Sequence, residues 1–311
     1  MTLVNYLKRP EYILRPTQIY HRILRSNETD INEFKDVLLP WGVKIKIRPY
    51  EVIGRSIWTM GLYDLVVTEA LWRLIDRGET AIDIGANIGY MTSIMAKKVG
   101  KTGSVYCYEP QPEIYKELSE NINSWQASMG WYQIKAQKIA LSNESGEGLL
   151  ETPTDFIQNR GIATLISSKE GFSGQINVNS SQTHIVSLST LDETLRTNEQ
   201  IDVIKIDVEG HEFEVLQGAA RIITKQHIRD ILFEEHRSYP SSVTQFLEER
   251  GYTIFRLCKG FWRPMLKLPM TSQIDYSQSW EPPNYLATKE PSRAIKRMQK
   301  RGWNSLRVNN N

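Results

Sequence analysis

The sequence has little cysteine, little net charge and no long apolar run, and each shortage excludes a class of protein. Its two cysteines, Cys107 and Cys258, lie in apolar surroundings, which excludes a disulfide-stapled scaffold and indicates buried thiols in a reducing compartment. No apolar stretch has membrane-spanning length, and no signal-peptide core opens the chain. The net charge of +2 gives no general attraction to nucleic acid. We therefore expect a cytoplasmic globular protein without a transmembrane segment or a nucleic-acid partner.

Basic residues are concentrated near the two ends of the chain. They are Lys8, Arg9, Arg15, Arg22 and Arg25 at the start, and Arg293, Lys296, Arg297, Lys300, Arg301 and Arg307 at the finish. We expect solvated surface at both ends, with contact to an anionic lipid or polymer as the alternative. Composition and length suit one large domain or two modest ones. We predict a helical extension over residues 1–42, a main domain over 43–290 and a basic tail over 291–311, and the oligomeric state stays open.

The residues around Asp83 predict a strand, a turn and a helix in succession. Residues 80–84 form a short apolar strand, and Gly85 and Gly89 supply the free φ angles that a tight turn needs. An apolar face with helical spacing follows directly. The positive end of that helix would face a ligand seated on the turn.

A second apolar strand ends at Glu109 and Pro110, where an acid can hold ribose hydroxyls. This βαβ pattern predicts a nucleoside site and occurs in both nicotinamide and methyl-donor folds. The turn separates the two, because it lacks the tight G-x-G of a pyrophosphate cradle and carries Asp83, whose carboxylate suits an ammonium group. We therefore predict S-adenosylmethionine as the cofactor. The predicted cofactor-binding residues are Asp83, Gly85, Ala86, Asn87, Gly89, Glu109 and Pro110.

Apolar strands alternate with helical patterns along the main domain, which predicts an α/β fold with a doubly wound, Rossmann-like parallel sheet. Ligands of such sheets bind outside the carboxyl ends of the strands. This rule brings Gly85, Glu109, Asp207 and Glu235 to one edge of the sheet, although they lie far apart in the sequence.

Two segments depart from the regular alternation. Residues 143–187 are rich in Gly, Ser, Asn and Thr with short β-like pieces, which predicts a β-rich insertion that borders the substrate. Ahead of the first core strand, the pattern predicts a strand over residues 43–47 and a second short strand near Ile53.

Polar residues follow the buried strand at 201–206. Asp207, Glu209 and His211 come directly after it, and Glu235 follows the next strand within Glu234-Glu235-His236. An alcohol acceptor must lose its proton during methyl transfer, so a positioned base is needed, and these four side chains are the catalytic candidates. They could instead brace turns or bind a divalent metal, since carboxylate and imidazole are metal ligands. We predict a site without metal.

Several motifs together resemble a known family. They are Asp-Ile-Gly-Ala-Asn-Ile-Gly at 83–89, Tyr-Glu-Pro at 108–110, Thr-Leu-Asp at 190–192 and Lys-Ile-Asp-Val-Glu-Gly-His-Glu at 205–212. Residues 45–260 resemble the FkbM family of methyltransferases. The resemblance implies a class I methyltransferase sheet, S-adenosylmethionine as donor, and O-methylation of sugars, lipid-linked glycans or polyketides. It assigns Asp83, Gly85, Asn87 and Gly89 to the donor loop and Glu109 to the ribose.

The predicted acceptor pocket combines flat apolar faces with polar donors. Its residues are Asn159 and Arg160, in a turn that loosely resembles one in the family's insertion, and Trp262 and Trp280 of the 258–283 loop. This mixture favours a carbohydrate. Together with the activity that the resemblance implies, it leads us to expect an O-methyltransferase that acts on a hydroxyl of a sugar, glycan precursor or related natural product. Two alternatives stay open: an NAD-type oxidoreductase, for which we find no hydride-transfer constellation, and a non-catalytic Rossmann-like binding module.

Overall fold

The computed structural model describes residues 33–152, 164–166, 182–195, 200–225, 228–269 and 283–306, and the single residue Pro10. The first elements are β1 (Lys35–Leu38), β2 (Lys44–Ile47), α1 (Val52–Met60), α2 (Leu65–Leu74), β3 (Thr80–Ile84), α3 (Tyr90–Val99), β4 (Ser104–Tyr108), α4 (Pro112–Met129), β5 (Ile134–Gln137), β6 (Ala140–Leu141) and β7 (Gly146–Thr152). They are followed by β8 (Thr164–Ile166), β9 (Gln182–Ser189), α5 (Leu191–Thr194), β10 (Ile201–Ile206), α6 (Glu212–Gln217), α7 (Ala220–Thr224), β11 (Ile228–Glu234), α8 (Ser242–Glu248), β12 (Thr253–Lys259), β13 (Pro264–Lys267), β14 (Asn284–Thr288) and α9 (Pro291–Met298). None of the described helices has both the length and the apolar composition needed to cross a bilayer.

Within the described residues, the main sheet has the strand order β13-β12-β14-β11-β10-β3-β4-β5. The five strands from β11 to β5 run parallel, and β14 lies antiparallel between β11 and β12. Chain order reverses between β3 and β10, which makes the switch point where doubly wound sheets bind ligands. Every residue of β10 is buried, as its apolar run predicts. The predicted α/β sheet is confirmed, with β14 reversed.

Helices cover both faces of this sheet. On one face α2, α3 and α4 pack apolar side chains against the strands, and on the other face α6, α7 and α8 do the same. Local capping sets where the helices at the ligand edge begin. Pro112 starts α4 behind Gln111, whose side-chain oxygen accepts a hydrogen bond from the Ile114 amide at 2.7 Å.

The insertion forms a separate sheet with the strand order β6-β9-β7-β8. β7 pairs antiparallel with both β8 and β9, and β6 runs parallel to β9. A small core of Ala140, Leu150, Val186 and Leu188 lies beneath it. The prediction of a β-rich insertion is confirmed.

The C-terminal segment is part of the domain as far as residue 306, so the prediction of a basic tail from residue 291 is wrong there. Arg73 of α2 pairs with Glu69 at 2.6 Å, and both side chains are buried. The Arg73 guanidinium also donates to the carbonyl oxygens of residues 297, 298, 300 and 302. Trp303 is buried in the core beside α2. The apolar positions of this segment, which its basic residues obscured, hold it on the domain.

The N-terminal boundary also differs from the prediction. β1 lies inside the segment predicted to be helical and pairs antiparallel with β2, so residues 35–42 belong to a β-hairpin. The short strand predicted near Ile53 is part of helix α1 instead. A short apolar run fits both a strand and one turn of buried helix. Here the segment packs as helix α1 against the β1–β2 hairpin.

Candidate active site

A cavity of about 420 Å³ lies at the carboxyl ends of β3, β4, β10 and β11. Its volume falls within the range of roughly 300–1,000 Å³ that is usual for small-molecule sites. Leu150 of β7 and Leu165 of β8 also line it. The insertion therefore borders the cavity, and its contact with the substrate stays a prediction.

The turn after β3 is held against the end of β4 by backbone hydrogen bonds. The amides of Gly85 and Ala86 both donate to the Tyr108 carbonyl oxygen, at 3.0 and 2.9 Å. Gly85 has a φ of +75°, and a Cβ at this position would lie 1.9 Å from the carbonyl oxygen of Asp207. Both the conformation and the close approach of the β10 turn therefore require glycine. Gly85, Ala86 and Asn87 line the cavity.

Glu109 presents a fixed carboxylate at the end of β4. Its Oε2 accepts from the Asn87 amide at 2.9 Å and its Oε1 from the Gln111 amide at 3.0 Å. Burial raises the pKa of Glu109 to about 7, although both amide donors act in the opposite direction. Glu109 and Pro110 line the cavity. The carboxylate predicted to bind the ribose is therefore held in position by the protein itself.

The cavity walls fit S-adenosylmethionine in polarity and charge. Ile84, Tyr108 and Leu141 supply apolar surface of the kind that a purine ring requires. Asp207 supplies a carboxylate, which favours the positive charge of a sulfonium and an ammonium. When bound, this donor supplies an electrophilic methyl group.

Asp83 does not line the cavity and is fully buried behind its wall. Its Oδ2 accepts from Thr92 Oγ1 at 2.6 Å, and its Oδ1 lies 3.5 Å from Lys205 Nζ. That ammonium also lies 3.2 Å from Asp207 Oδ2 and donates to the Gly85 carbonyl oxygen at 3.0 Å. The prediction that Asp83 contacts the donor is therefore wrong, because its carboxylate positions Lys205 instead.

Charge within this group is set by burial and pairing. Burial raises the pKa of Asp83, which Lys205 partly offsets. For Lys205, burial disfavours the charged form, but the carboxylates of Asp207 and Asp83 outweigh it and raise the pKa above its ordinary value. Lys205 is therefore a permanent cation on the cavity wall.

Two other predicted site residues have structural roles. Gly89 precedes α3 with a φ of +93°, and a Cβ there would lie 2.8 Å from Leu118 Cδ1, so glycine allows α3 and α4 to approach. Glu235 is buried, and its carboxylate accepts from the Arg237 amide at 2.9 Å and from Ser241 Oγ at 2.5 Å. Neither residue lines the cavity, so both predicted contacts are wrong.

Asp207, Glu209 and His211 do line the cavity, as the sequence predicted. Glu209 has a left-handed backbone with a φ of +50°, a conformation that costs a non-glycine residue free energy and is concentrated at functional sites. Burial, followed by the charge of Asp207, raises the pKa of Glu209 to about 7. His211 Nε2 lies 2.9 Å from Ser142 Oγ, and burial lowers the pKa of His211.

Glu234, at the end of the neighbouring strand β11, and His236, two residues after it, also line the cavity. His236 Nε2 lies 3.5 Å from Glu234 Oε1 and 4.0 Å from Glu209 Oε2. Burial, with the charges of Asp207 and Glu209, raises the pKa of Glu234 to about 9. Side chains at a strand end point alternately to opposite sides. That alternation is the signal that would have selected residues 234 and 236 together instead of Glu235.

Three further cavity residues were not predicted. They are Lys205 and the pair Asp64 and Asn284, in which Asn284 Nδ2 donates to Asp64 Oδ2 at 3.2 Å. Asp64 caps α2 by accepting from two amides of that helix, and Asn284 begins β14. A capping acid and a single asparagine carry no local signal of a site, so only the folded chain reveals them.

The predicted acceptor residues are placed only in part. Asn159, Arg160 and Trp280 lie outside the described residues. Trp262 lies at the tip of the β12–β13 hairpin and is not on the cavity wall. β12 runs parallel to β11, as expected, but three strand spacings, about 14 Å, separate β12 from β10. The prediction that Trp262 walls this cavity is therefore wrong.

Comparison with known proteins gives concordant matches. A model of the methyltransferase FkbM domain matches residues 83–254. Methyltransferase sdnD of Sordaria araneosa is 28% identical over 217 residues, which cover 59% of this chain and 76% of that protein. Hexuronic acid methyltransferase AglP of Haloferax volcanii is 26% identical over 200 residues, which cover 58% of this chain and 73% of that protein. A solved FkbM methyltransferase from Methylobacillus flagellatus is 15% identical, with a TM-score of 0.40 over 67% of this chain and 43% of its own.

The family match spans more than half of the chain and contains the donor turn, Glu109 and the acidic residues after β10. It confirms S-adenosylmethionine as the cofactor. It also decides against the dinucleotide oxidoreductase alternative. The protein belongs to the FkbM family of methyltransferases.

Proposed function

We propose that the protein transfers the methyl group of S-adenosylmethionine to a hydroxyl oxygen of a sugar, glycan precursor or related natural product. The observation that carries this proposal is Glu209, which lines the cavity and whose pKa is raised to about 7. An alcohol oxygen becomes a strong nucleophile as its proton leaves, and a base whose pKa lies near the working pH removes that proton best.

Among the residues after β10, Glu209 is the best placed to act as that base. Asp207 is already paired with Lys205 at 3.2 Å. His211 has its Nε2 engaged with Ser142 Oγ at 2.9 Å. Glu209 makes a longer contact, 4.0 Å, with His236. Its carboxylate therefore has the greatest freedom to accept a proton from a bound acceptor.

The proposed step is a direct displacement. The acceptor oxygen bonds to the methyl carbon while the carbon–sulfur bond breaks, and the bonding electron pair stays on sulfur. The hydroxyl proton passes to Glu209, and the half-exposed His236 beside it offers a route to solvent. The protein contributes mainly alignment of the two reacting atoms.

A carbohydrate acceptor suits the polar groups around Glu209. Asp64, Glu234, His236 and Asn284 come from different elements and line the same cavity, where they offer hydrogen-bond donors and acceptors to several hydroxyls. The relative AglP is by name a hexuronic acid methyltransferase, which also supports a sugar.

The test is methyl transfer from isotope-labelled S-adenosylmethionine to a panel of neutral sugars, uronic acids, glycan precursors and polyketide alcohols, with matched amines. We expect label in one of the alcohols, and NMR should place the new methyl group on oxygen. Methylation of nitrogen or carbon alone would contradict the proposal.

A second arm of this assay addresses metal. Among the described residues, no group of three or more His, Cys, Asp or Glu side chains has a metal-binding arrangement. We expect EDTA to leave the transfer rate unchanged. Loss of activity that Mg²⁺ restores would make the residues around Glu209 metal ligands.

A further inference from the structure

The β12–β13 hairpin exposes large apolar side chains at its tip and along its outer edge. Trp262 is 66% exposed, Phe261 39% and Leu268 70%. Among the described strands, β13 is the outermost one of the main sheet. Single exposed apolar residues are ordinary on protein surfaces, but an indole and a phenyl ring side by side on one tip are not.

The tip is held rigidly in this exposed position. The Gly302 amide donates to the Trp262 carbonyl oxygen at 2.8 Å, and Trp303 Nε1 donates to the Phe261 carbonyl oxygen at 3.1 Å. The two rings also pack edge to face, with centroids 4.7 Å apart. Hydrogen bonds to the C-terminal segment therefore fix the two rings outside the core. Because the rings are already ordered, burying them against a partner surface would cost little further conformational entropy.

The two segments that form and anchor the tip carry charge of one sign. Residues 253–268 and 291–306 together contain nine Lys or Arg residues and no Asp or Glu. Arg293 and Arg297 are paired with Asp76 and serve the fold. The exposed basic residues on these two segments include Lys267, Lys296, Lys300 and Arg301. Since Gly302 is bonded to Trp262, Lys300 and Arg301 lie directly beside the aromatic tip.

The tip also projects from the edge of the sheet that carries the cavity. β12 and β11 are both antiparallel to β14, so β12 runs in the same direction as β11 and its carboxyl end leaves the sheet at the same edge. A surface bound through the tip would therefore lie at the ligand side of the domain.

We propose that Phe261, Trp262, Lys300 and Arg301 form an aromatic–basic surface that docks the protein peripherally on an anionic lipid bilayer. Tryptophan and phenylalanine are suited to the boundary between headgroups and acyl chains, and neighbouring cations are attracted to anionic headgroups. The proposal concerns where the enzyme works and does not depend on which hydroxyl it methylates.

The test is sedimentation of the full-length protein with sucrose-loaded vesicles of phosphatidylcholine alone and of phosphatidylcholine with phosphatidylglycerol. We expect partition onto the anionic vesicles and little onto the neutral ones, with binding that weakens as salt rises. Trp262→Ala should weaken partition about tenfold, since it removes most of one large side chain from the lipid phase. Lys300→Gln and Arg301→Gln should each weaken it about fivefold at low ionic strength.

Matched controls come from the opposite side of the sheet. Tyr132→Ala removes an aromatic ring that is 74% exposed beside β5. Lys101→Gln and Lys116→Gln remove exposed cations near α3 and α4. We expect these variants to partition like the wild type. Binding of S-adenosylhomocysteine by calorimetry should be unchanged in every variant, which shows that each one is folded.

Three outcomes would overturn the proposal. They are no partition onto anionic vesicles at low salt, equal partition of the tip and control variants, and a concentration-dependent dimer that Trp262→Ala dissociates. The last result would show that the surface binds a second copy of the chain. The charge variants keep the test decisive if Trp262→Ala fails to fold.

Discussion

The two sides of the cavity are built in different ways. On the side of β3 and β4, backbone amides define the site: they hold the turn at Gly85 and orient the Glu109 carboxylate. On the side of β10 and β11, side-chain charges define it: His236 lies beside Glu209 and Glu234. The buried cation Lys205 is paired with Asp207. The first side is complete within about thirty residues of sequence, as a βαβ unit allows. The second side collects groups from across the chain.

This difference suits the two sides to different roles: the side of β3 and β4 to binding the donor, and the side of β10 and β11 to proton transfer. The side formed by backbone amides tolerates few changes of conformation, because each of these amides already donates a hydrogen bond. On the charged side, burial and then repulsion between neighbouring carboxylates raise the pKa of Glu209 and Glu234, a kind of shift that is concentrated at functional sites. Substitutions on the two sides should therefore give different signatures.

The largest effect is expected from Glu209→Gln, which removes the proposed base from the charged side. Turnover should fall by roughly 10²–10⁴, the usual contribution of a positioned base. The affinity for S-adenosylhomocysteine should stay near that of the wild type, which calorimetry can measure. Glu249→Gln, at a carboxylate 75% exposed, is the matched control and should leave both values unchanged. Loss of donor affinity with unchanged turnover would contradict the assignment.

The next effect concerns the contact that joins the two sides. Gly85→Ala should destabilise the fold by about 3 kcal/mol or more, because it adds a clash with the Asp207 carbonyl oxygen to the strain of positive φ. Gly210→Ala is the control: it has a φ of +92° but no atom within 4 Å of the added Cβ, so only the strain of about 1–2 kcal/mol applies. Urea unfolding measures both. Equal losses of unfolding free energy in the two variants would contradict the close contact between residue 85 and the Asp207 carbonyl oxygen.

The pH dependence of turnover tests the charged side alone. At saturating donor and acceptor, turnover should rise about tenfold per pH unit below pH 7 and level off above it, because the base acts only when deprotonated. The raised pKa of Glu209, about 7, sets the position of this bend. Glu209→Gln should remove the slope. A profile that falls as pH rises through 7 would indicate that an acid is required instead.

A smaller effect is expected from Glu109→Gln on the backbone side. This substitution weakens charge-assisted hydrogen bonds worth roughly 1.5–3 kcal/mol, so donor affinity should fall about tenfold or more. Turnover at saturating donor should stay close to that of the wild type. Glu113→Gln, an exposed acid in the first turn of α4, is the control. An equal loss in both variants would show a general charge effect.

The same division explains what could be read from the sequence. The turn at Gly85 and the acid at Glu109 were predicted because their chemistry depends on local backbone geometry. Glu235 was chosen over Glu234 because the pattern places both at the strand end. Side-chain alternation would have favoured Glu234 with His236, and the folded turn, with Ser241 bonded to Glu235, agrees with that choice. Trp262 was misplaced because the number of strands between β12 and the cavity depends on pairing partners distant in sequence.

The sequence by itself determined the fold class, the cofactor and the positions of the donor turn, since glycine spacing and apolar strands act over short distances. Tertiary structure alone decided that Asp83 supports Lys205, that Asp64 and Asn284 enter the cavity, and that residues 291–306 belong to the domain. These outcomes depend on which surfaces meet. In the sequence, a carboxylate in a strand gives the same pattern whether it faces a ligand or a buried ammonium. Only the packing of β10 beside β3 shows that Asp83 faces Lys205.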